Sequence, residues 1–600
     1  MMDYFEKLSW LLEQERAEQW NDYEAIVAGW SLAKRREGGY TWYPVKVKDR
    51  EVTIGGKWML TLARTTSDNK PHLFQVGSAV ALFAQKESNK RETLKGVVAF
   101  LSKELMKVHL SCEELPDWLD EHPLGVDILP DDTTFSEMKN AIETLQKARE
   151  NRLAVLRDVL IGKKSPEKTE EQVFYENPLL NSSQNDAIAG ALMAKDVFII
   201  HGPPGTGKTT TLIALIERLL AHERQLLVAA PSNTAVDVLT ERLAQKSVQV
   251  VRLGHPARVD ETLQRYTIDF LLSEHPNAKQ IKKLRKQASE LQRMAWQYKR
   301  TFGKEELEQR RSLLQEARWV LQEARAQEDH LLEQILESAQ VITATLVGTN
   351  HPYLKHKRFS TVIVDEAAQA LEPSCWIPIL KAERIILAGD HCQLPPTVKN
   401  VVAAREGLAQ SLFEKLIQQY PDFSCLLNVQ YRMNEQIMEF SSQQFYHHQL
   451  QAHHTVRNHQ ISVQPIHRQE TWNAPLLFID TAGCGFNEQA EKEGTSKRNE
   501  EEARLLMKIL TAWLATIADF VDIGQLSMGI ISPYQAQVQF LEELAAQEPR
   551  FSLIEKLHIH TVDGFQGQER DVVAISLVRS NQEGEIGFLQ DVRRMNVAMT

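Results

Sequence analysis

Phe5, Leu8, Leu11 and Leu12 sit at three-four spacing among charged neighbours, and this pattern predicts a helix over about residues 1–33. From "GGYTWYPVKVK" to about residue 130 the period drops to two. Val45 and Val47 alternate with Lys46 and Lys48, and Met106, Val108 and Leu110 alternate with Lys107 and His109. Alternation of this kind makes half-buried antiparallel strand, and five or six such runs predict a small barrel over residues 36–132. After the turn-rich "HPLGVDILPDDTTFSE", a second helical stretch is expected over about 136–160, and the polar "IGKKSPEKTEEQ" reads as a linker.

From residue 178 the pattern changes again. Short apolar runs, "DVFIIHG", "QLLVAAP", "VQVVRLG", "AQVITAT", "TVIVDEA" and "RIILAGD", alternate with helical segments, as in a parallel sheet covered on both faces. A second series, "PLLFIDT", "MGIISPY", "HIHTVD" and "DVVAISLV", follows residue 405, so two tandem α/β domains are expected over 178–404 and 405–600. Inside the first lies a helical insertion at 278–337. Ile281, Leu284, Ala288, Leu291, Ala295, Tyr298 and Phe302 keep three-four spacing, and Leu314, Ala317, Leu321, Ala324, Leu331 and Ile335 nearly repeat it after Gly303. The simple reading is an antiparallel hairpin with arms of opposite charge. Residues 279–300 hold eight Lys or Arg against Glu290 alone, and 304–337 hold nine Asp or Glu against five Lys or Arg. The arms then attract one another and leave a solvated face; a sharper reading makes the basic arm a contact for nucleic acid or a partner.

Composition sets bounds on this picture. With 600 residues, 43% hydrophobic and 25% charged, the chain has room for three or four globular domains. No apolar run reaches the ~18 residues of a membrane span, and the acidic amphipathic N-terminus lacks the basic start of a signal peptide, so a cytoplasmic protein without a membrane partner is expected. Cys112, Cys375, Cys392, Cys425 and Cys484 are scattered without a CxxC pair, which suggests neither a disulfide framework nor a zinc or iron–sulfur site. The net charge of -11 argues against coating nucleic acid by bulk positive charge and leaves room for a local basic groove.

The chemistry concentrates in a few segments. "GPPGTGKT" fits G-x-x-x-x-G-K-[ST], with a strand before it and a helix after it. Gly202, Pro203, Gly205, Thr206, Gly207, Lys208, Thr209 and Thr210 make a loop and helix N-terminus whose backbone amides suit phosphates. Lys208 is placed to reach the terminal phosphates, and the Thr209 hydroxyl suits magnesium. In "TVIVDEAAQA" an apolar strand delivers Asp365 and Glu366 to its carboxyl end, where open α/β sheets bind ligands. Asp365 suits a water-mediated magnesium ligand, and Glu366 suits the base that deprotonates an attacking water.

"DEAAQ", "LAGDHCQLPPTV", "NVQYRM", "ISPYQAQV", "TVDGFQGQERDVV" and "RRMNVAMT" follow in the order and spacing of superfamily 1, class B helicases, and residues 178–600 most resemble their Upf-like branch. The resemblance implies two tandem RecA-like P-loop domains, an early barrel on two stalk helices (1–35 and 136–160), and the hairpin as an accessory insertion. It implies an ATP- and magnesium-dependent motor that moves along single-stranded DNA or RNA, usually 5′ to 3′, unwinding duplexes or displacing proteins. A nucleic-acid clamp that opens and closes with ATP but does not translocate is the alternative. A monomer is expected.

Carried over by position, Gln184 in "LNSSQNDAI" would read the adenine edge, and Gln393 would sense the terminal phosphate. Arg432 would reach across from the second domain to the transition state; Tyr431 would stack near the adenine, and Glu569 would contact the sugar. Ser232, Asn233, Thr234, Thr345 and Thr561 would hold strand phosphates, while Pro533 and Tyr534 would offer flat faces to bases. In the family the last motif continues past the threonine into arginines, so a continuation beyond Thr600 is expected. "FYHHQLQAHHTVRNHQ" gathers His447, His448, His453, His454 and His459 without a carboxylate or cysteine to complete a metal site, and reads as a histidine-rich loop.

Overall fold

The computed structural model describes residues 3–27, 30–52, 58–65, 72–74, 76–84, 92–102, 104–110, 112, 115–116, 118–121, 123–130, 132–171, 173–254, 258–295, 304–461, 474–490, 496–518 and 521–600. The alternating region closes on itself. Strands β1 (Thr41–Val52), β2 (Trp58–Arg64), β3 (Ala79–Ala84), β4 (Thr93–Leu101), β5 (Leu105–Leu110) and β6 (Leu124–Ile128) form an antiparallel barrel in the order β1-β2-β5-β4-β3-β6. Every second side chain, including Leu60, Leu62, Val80, Leu82, Met106, Val108 and Val126, fills its interior. Closure leaves no unpaired edge. A buried ion pair between Arg35 and Asp127 (2.8 Å), with Thr41 also donating to Asp127, ties the short helix Leu32–Glu37 to the barrel.

The N-terminal helix, Tyr4–Val27, lies on the first α/β unit. The Phe5 ring packs on Trp376 (5.7 Å), the Tyr4 hydroxyl donates to Glu372 (2.6 Å), and Glu15 accepts the backbone N–H of Asn400 (2.8 Å). The stretch expected as one helix over 136–160 is two, Asp132–Lys147 and Arg152–Leu160. Between them Glu150 takes a left-handed φ of 48°, and Asn151 caps the second helix by accepting the Ala154 N–H at 2.9 Å. A side chain that satisfies a free helix amide makes the restart more favourable than continuation.

The first parallel sheet holds β7 (Val197–His201), β8 (Leu226–Ala230), β9 (Val250–Leu253), β10 (Val341–Thr345), β11 (Phe359–Val364), β12 (Ala382–Gly389) and β13 (Ser424–Leu426), in the order β13-β7-β12-β11-β8-β10-β9. The edge strand β13 lies beyond residue 405, where the second unit was expected to begin. Its three residues pair in parallel with Ile199–His201. Two short pairs follow: β14 (Val429–Gln430) with β15 (Gln451–Ala452), and β16 (Gln489–Ala490) with β17 (Lys497–Arg498). The second parallel sheet has three strands among the described residues, β18 (Ser527–Ser532), β19 (Lys556–Thr561) and β20 (Val572–Ile575), ordered β19-β18-β20. "PLLFIDT", expected as one of its strands, is not a strand, and Phe478 within it is 78% exposed. An apolar run marks a segment fit for burial, but does not specify its pairing partner.

The insertion is a helix pair, Ala278–Ala295 and Lys304–Ser338, meeting along the small residues Ala288, Ala317 and Ala324, with Arg285 bonded to Glu328 across the seam. That ion pair agrees with mutual attraction of the arms. Tyr298, Phe302 and Gly303 lie outside the described residues. No helix among the described residues is long and apolar enough to cross a membrane.

Glu488, beside β16, holds the turn that follows β20. It accepts from Arg579 Nε (2.7 Å), the Ser580 N–H (3.0 Å), Asn581 Nδ2 (3.1 Å) and Lys497 Nζ (3.0 Å). Burial opposes its charge, but Lys497, Asn581, Ser580 and Arg579 outweigh burial and bring the carboxyl down to about 2. The folded value lies below the ordinary 4.5, so this stabilisation is complete above that pH and is lost as pH falls toward 2. Glu488→Gln is expected to destabilise the protein at pH 7 toward the ~3–5 kcal/mol of a broken buried pair. Chemical denaturation should show the two proteins converging in stability as pH drops from 5 toward 2.

Candidate nucleotide site and strand-facing rim

β7 ends at His201 and the chain turns through 202–207 into the helix Lys208–Leu219. Gly205 and Gly207 take left-handed φ values of 73° and 77°. A Cβ on Gly205 would lie 2.6 Å from the Arg432 Cβ, so glycine serves both the turn and the close approach of the second unit. Thr206 is buried and its hydroxyl donates to Pro203 O (2.6 Å). Thr209 and Thr210 stand on the first turn of the helix, where free N–H groups and the helix dipole favour anions.

Lys208 Nζ lies 3.1 Å from Asp365 Oδ1 and is hydrogen-bonded to Glu366 Oε1. Burial works against its charge, but the two carboxylates prevail and hold the ammonium above its ordinary value. Glu366 adopts φ 52°, a conformation that costs a non-glycine residue of the order of 1–3 kcal/mol. It is held there by its own N–H donating to Asp365 Oδ1 (2.8 Å) and by Gln369 Nε2 donating to its Oε2 (2.6 Å). Burial raises the Glu366 carboxyl above its usual range, with Lys208 opposing and Asp365 assisting. A carboxylate with a raised pKa is a stronger base.

Gln184 is 4% exposed, and both ends of its amide are engaged. Its Oε1 accepts the Asn181 N–H (3.0 Å) and its Nε2 donates to Thr206 O (3.0 Å), so it clamps the phosphate loop to the helix Ser182–Met193. Tyr431 bridges the same parts from the second unit. Its N–H donates to Gly205 O (2.8 Å) and its hydroxyl accepts from Asn181 Nδ2 (3.0 Å). Arg432 Nε meets Glu569 Oε2 (3.1 Å), and its Nη1 donates to Thr600 O (2.9 Å). Glu569 therefore orients the arginine in this structure.

Gln393 donates through Nε2 to Asp390 Oδ2 (2.9 Å), and Asp390 is a hub. His201 Nε2 lies 2.9 Å from its Oδ1, the Cys392 N–H reaches the same oxygen at 3.1 Å, and the Tyr446 hydroxyl donates to Oδ2 at 2.6 Å. Asn596, in the last helix, donates from Nδ2 to Cys392 O (2.8 Å) and to Tyr446 Oη (3.0 Å). Ligand atoms of His201, Asp390, His391 and Cys392 lie within 4.8 Å of one another, a grouping the cysteine spacing did not foretell. The Asp390 carboxylate is already filled by protein donors. Burial keeps His391 neutral, pushing it down to about 4, and pushes the Cys392 thiol up. The wiring is that of a hydrogen-bonded hub joining the two units.

On the rim expected to face a strand, Ser232 caps the helix Asn233–Gln245 by accepting the Ala235 N–H (3.1 Å), and the Thr345 hydroxyl accepts the Gly348 N–H (3.1 Å). Thr234 is exposed, and Thr561 is partly so, bonded to the ring of His560. Pro533 and Tyr534 depart from expectation. Both are buried, Tyr534 to 4% exposure, because its hydroxyl accepts from Arg579 (3.1 Å) and its ring packs on Phe588 (5.5 Å). Phe588 itself is half exposed, with the guanidinium of Arg594 over its ring.

Arg252 was missed from the sequence. It is fully buried in β9, with Nε on Asp237 (3.0 Å) and Nη2 on Asn233 (2.9 Å), and so sets the first turn of the helix that carries the rim residues. The available signal was a lone charge inside "VQVVRLG", since a fully buried guanidinium requires partners. Arg252→Lys keeps the charge but cannot span both partners. It is expected to cost about 1.5–3 kcal/mol of stability and to weaken single-strand binding while preserving strand-independent hydrolysis. Equal strand affinity in the two proteins would contradict this.

Family models described as AAA domain match residues 179–401 and 408–600. The chain is 31% identical over 573 residues to an uncharacterized ATP-dependent helicase of Methanocaldococcus jannaschii, covering 88% of this chain and 82% of that one. It is 32% identical over 548 residues to the DNA polymerase alpha-associated DNA helicase A of Schizosaccharomyces pombe, covering 88% and 79%. The chain belongs to the superfamily 1, class B helicases of the Upf-like branch. It is also 39% identical over 541 residues to the DNA-binding protein SMUBP-2 of Mesocricetus auratus, covering 88% of this chain and 52% of that protein. The chain thus spans about half the length of the SMUBP-2 proteins it matches. The helicase core is the pair of sheets joined by the Asp390 hub, with the barrel, N-terminal helices and hairpin built onto the first.

Proposed function

We propose that this chain is an ATP-driven motor on single-stranded nucleic acid, moving 5′ to 3′ and unwinding duplexes or displacing bound proteins. The observation that carries the reading is the convergence of Lys208, Asp365 and Glu366 on one side of the phosphate loop with Tyr431 and Arg432 of the second unit on the other. A hydrolysis site shared between two units makes their separation depend on the nucleotide.

The residues present suit a triphosphate with magnesium. Thr209 and Asp365 would hold the ion, which would supply neutralisation of phosphate charge. Lys208, released from Asp365 and Glu366, would take the terminal phosphates. Glu366 would then accept the proton of the attacking water, and Arg432, positioned by Glu569, would stabilise charge on the transferred group. The Asp390 hub, with Gln393 attached and Asn596 reaching in from the last helix, supports coupling of phosphate loss to the second unit. Arg252, Asn233 and the exposed Thr234 support a strand grip on the first.

Partial duplexes with a 5′ or a 3′ single-stranded tail test the direction. Displacement with ATP from the 5′-tailed duplex is expected. Hydrolysis stimulated by single strands, with no displacement from either tail and no removal of a bound protein, would favour a clamp without translocation.

A further inference from the structure

The histidine-rich segment is wired into the nucleotide site. His447 and His448 take left-handed φ values of 51° and 60°, where histidine is among the few enriched side chains, and turn the chain into β15. β15 pairs in parallel with β14, and the His453 N–H then donates to Gln430 O at 2.9 Å. This register sets the His453 ring against the ring of Tyr431, with centroids 4.5 Å apart and planes tilted by 38°; His454 follows at 4.1 Å. Tyr431 is fixed at two further points, its N–H on Gly205 O and its hydroxyl on Asn181, yet it remains 38% exposed. An exposed tyrosine beside a phosphate loop, backed by a second ring and pinned at its hydroxyl, is a flat surface held at fixed distance from where phosphates sit.

We propose that His453 is a positioning residue for the nucleobase: it backs the Tyr431 ring so that a purine of the bound triphosphate stacks on the open aromatic surface. The inference rests on the nucleotide-site reading above and adds a determinant for the base. His453 acts through Tyr431. Its removal takes away the ring that backs Tyr431 and leaves Lys208, Asp365, Glu366 and Arg432 in place. Aromatic pairs contribute enough beyond burial to alter binding by about 2- to 12-fold.

The test uses the full chain and compares the wild type with His453→Ala and His453→Phe. ATP hydrolysis gives KM and kcat, and inorganic tripolyphosphate serves as a competitive probe that has the phosphates but no base. His453→Ala is expected to raise the KM for ATP about 2- to 12-fold with kcat and the tripolyphosphate inhibition constant unchanged, and His453→Phe is expected to restore the KM. An unchanged KM in His453→Ala would overturn the proposal. So would a parallel rise in KM and in the tripolyphosphate constant, which would mean that the ring merely supports the phosphate loop. A wild-type chain that neither binds nor hydrolyses ATP would instead overturn the nucleotide-site reading, and this inference with it.

Discussion

Glu366→Gln is expected to lower ATP turnover by about 10²- to 10⁴-fold, the range that a positioned general base supplies, while nucleotide binding survives. Glutamine keeps the size of the side chain and can still accept from Gln369, so the left-handed turn at 366 persists. What it loses is the proton acceptor and one of the two negative charges on Lys208. Since that lysine is also the proposed phosphate ligand, weakening its hold on Glu366 should leave nucleotide affinity equal or greater. The raised carboxyl sets the sign of the pH dependence. Turnover requires the deprotonated form, so kcat should begin to fall, as pH decreases, above the ordinary carboxylate range, and Glu366→Gln should flatten that limb. Measuring kcat by phosphate release and affinity by nucleotide titration separates the two effects. Normal turnover in the variant would remove Glu366 from the role of base.

Arg432→Ala should lower turnover by about 10³- to 10⁵-fold, as expected for a guanidinium that meets transition-state charge. Arg432→Lys should not rescue it. Lysine has no planar fork with which to hold Glu569 through one nitrogen and present the others to phosphate. Glu569→Gln should give a smaller loss than Arg432→Ala, because Glu569 acts through the arginine. If Arg432→Ala hydrolysed ATP normally while Glu366→Gln did not, the site would lie within the first unit alone and the shared cleft would lose its meaning.

The periodicity of the chain made the barrel and the first sheet legible. Val45 against Lys46, or Met106 against Lys107, reports which face is buried because successive strand side chains point to opposite sides. The phosphate loop and the acidic pair after β11 were legible because their chemistry needs those residue types in sequence. Periodicity carried less information where pairing depends on distant segments. The Ser424–Leu426 strand is three residues long and pairs with Ile199–His201, more than two hundred residues before it, so its place is set by β7 and not by its own pattern. "PLLFIDT" has the composition of a strand and no partner in the second sheet among the described residues.

Site residues divide in the same way. Lys208, Asp365 and Glu366 come together as their motifs suggest. Tyr534 does not present its ring, because Arg579 and Phe588 enclose it, and neither neighbour belongs to its motif. Arg252, Tyr446 and Asn596 were not singled out because each works by contact with a residue remote in sequence: Asn233, Asp390 and Cys392 respectively. His453 gains its neighbour Tyr431 through a two-residue parallel pairing.

The most direct test of a coupled motor is steady-state ATP hydrolysis measured with no nucleic acid, with single-stranded DNA and with single-stranded RNA, at one fixed salt concentration because phosphate contacts are salt-dependent. Strong stimulation by at least one strand, abolished in Glu366→Gln, is the predicted result. Equal, unstimulated turnover in all three conditions would contradict it.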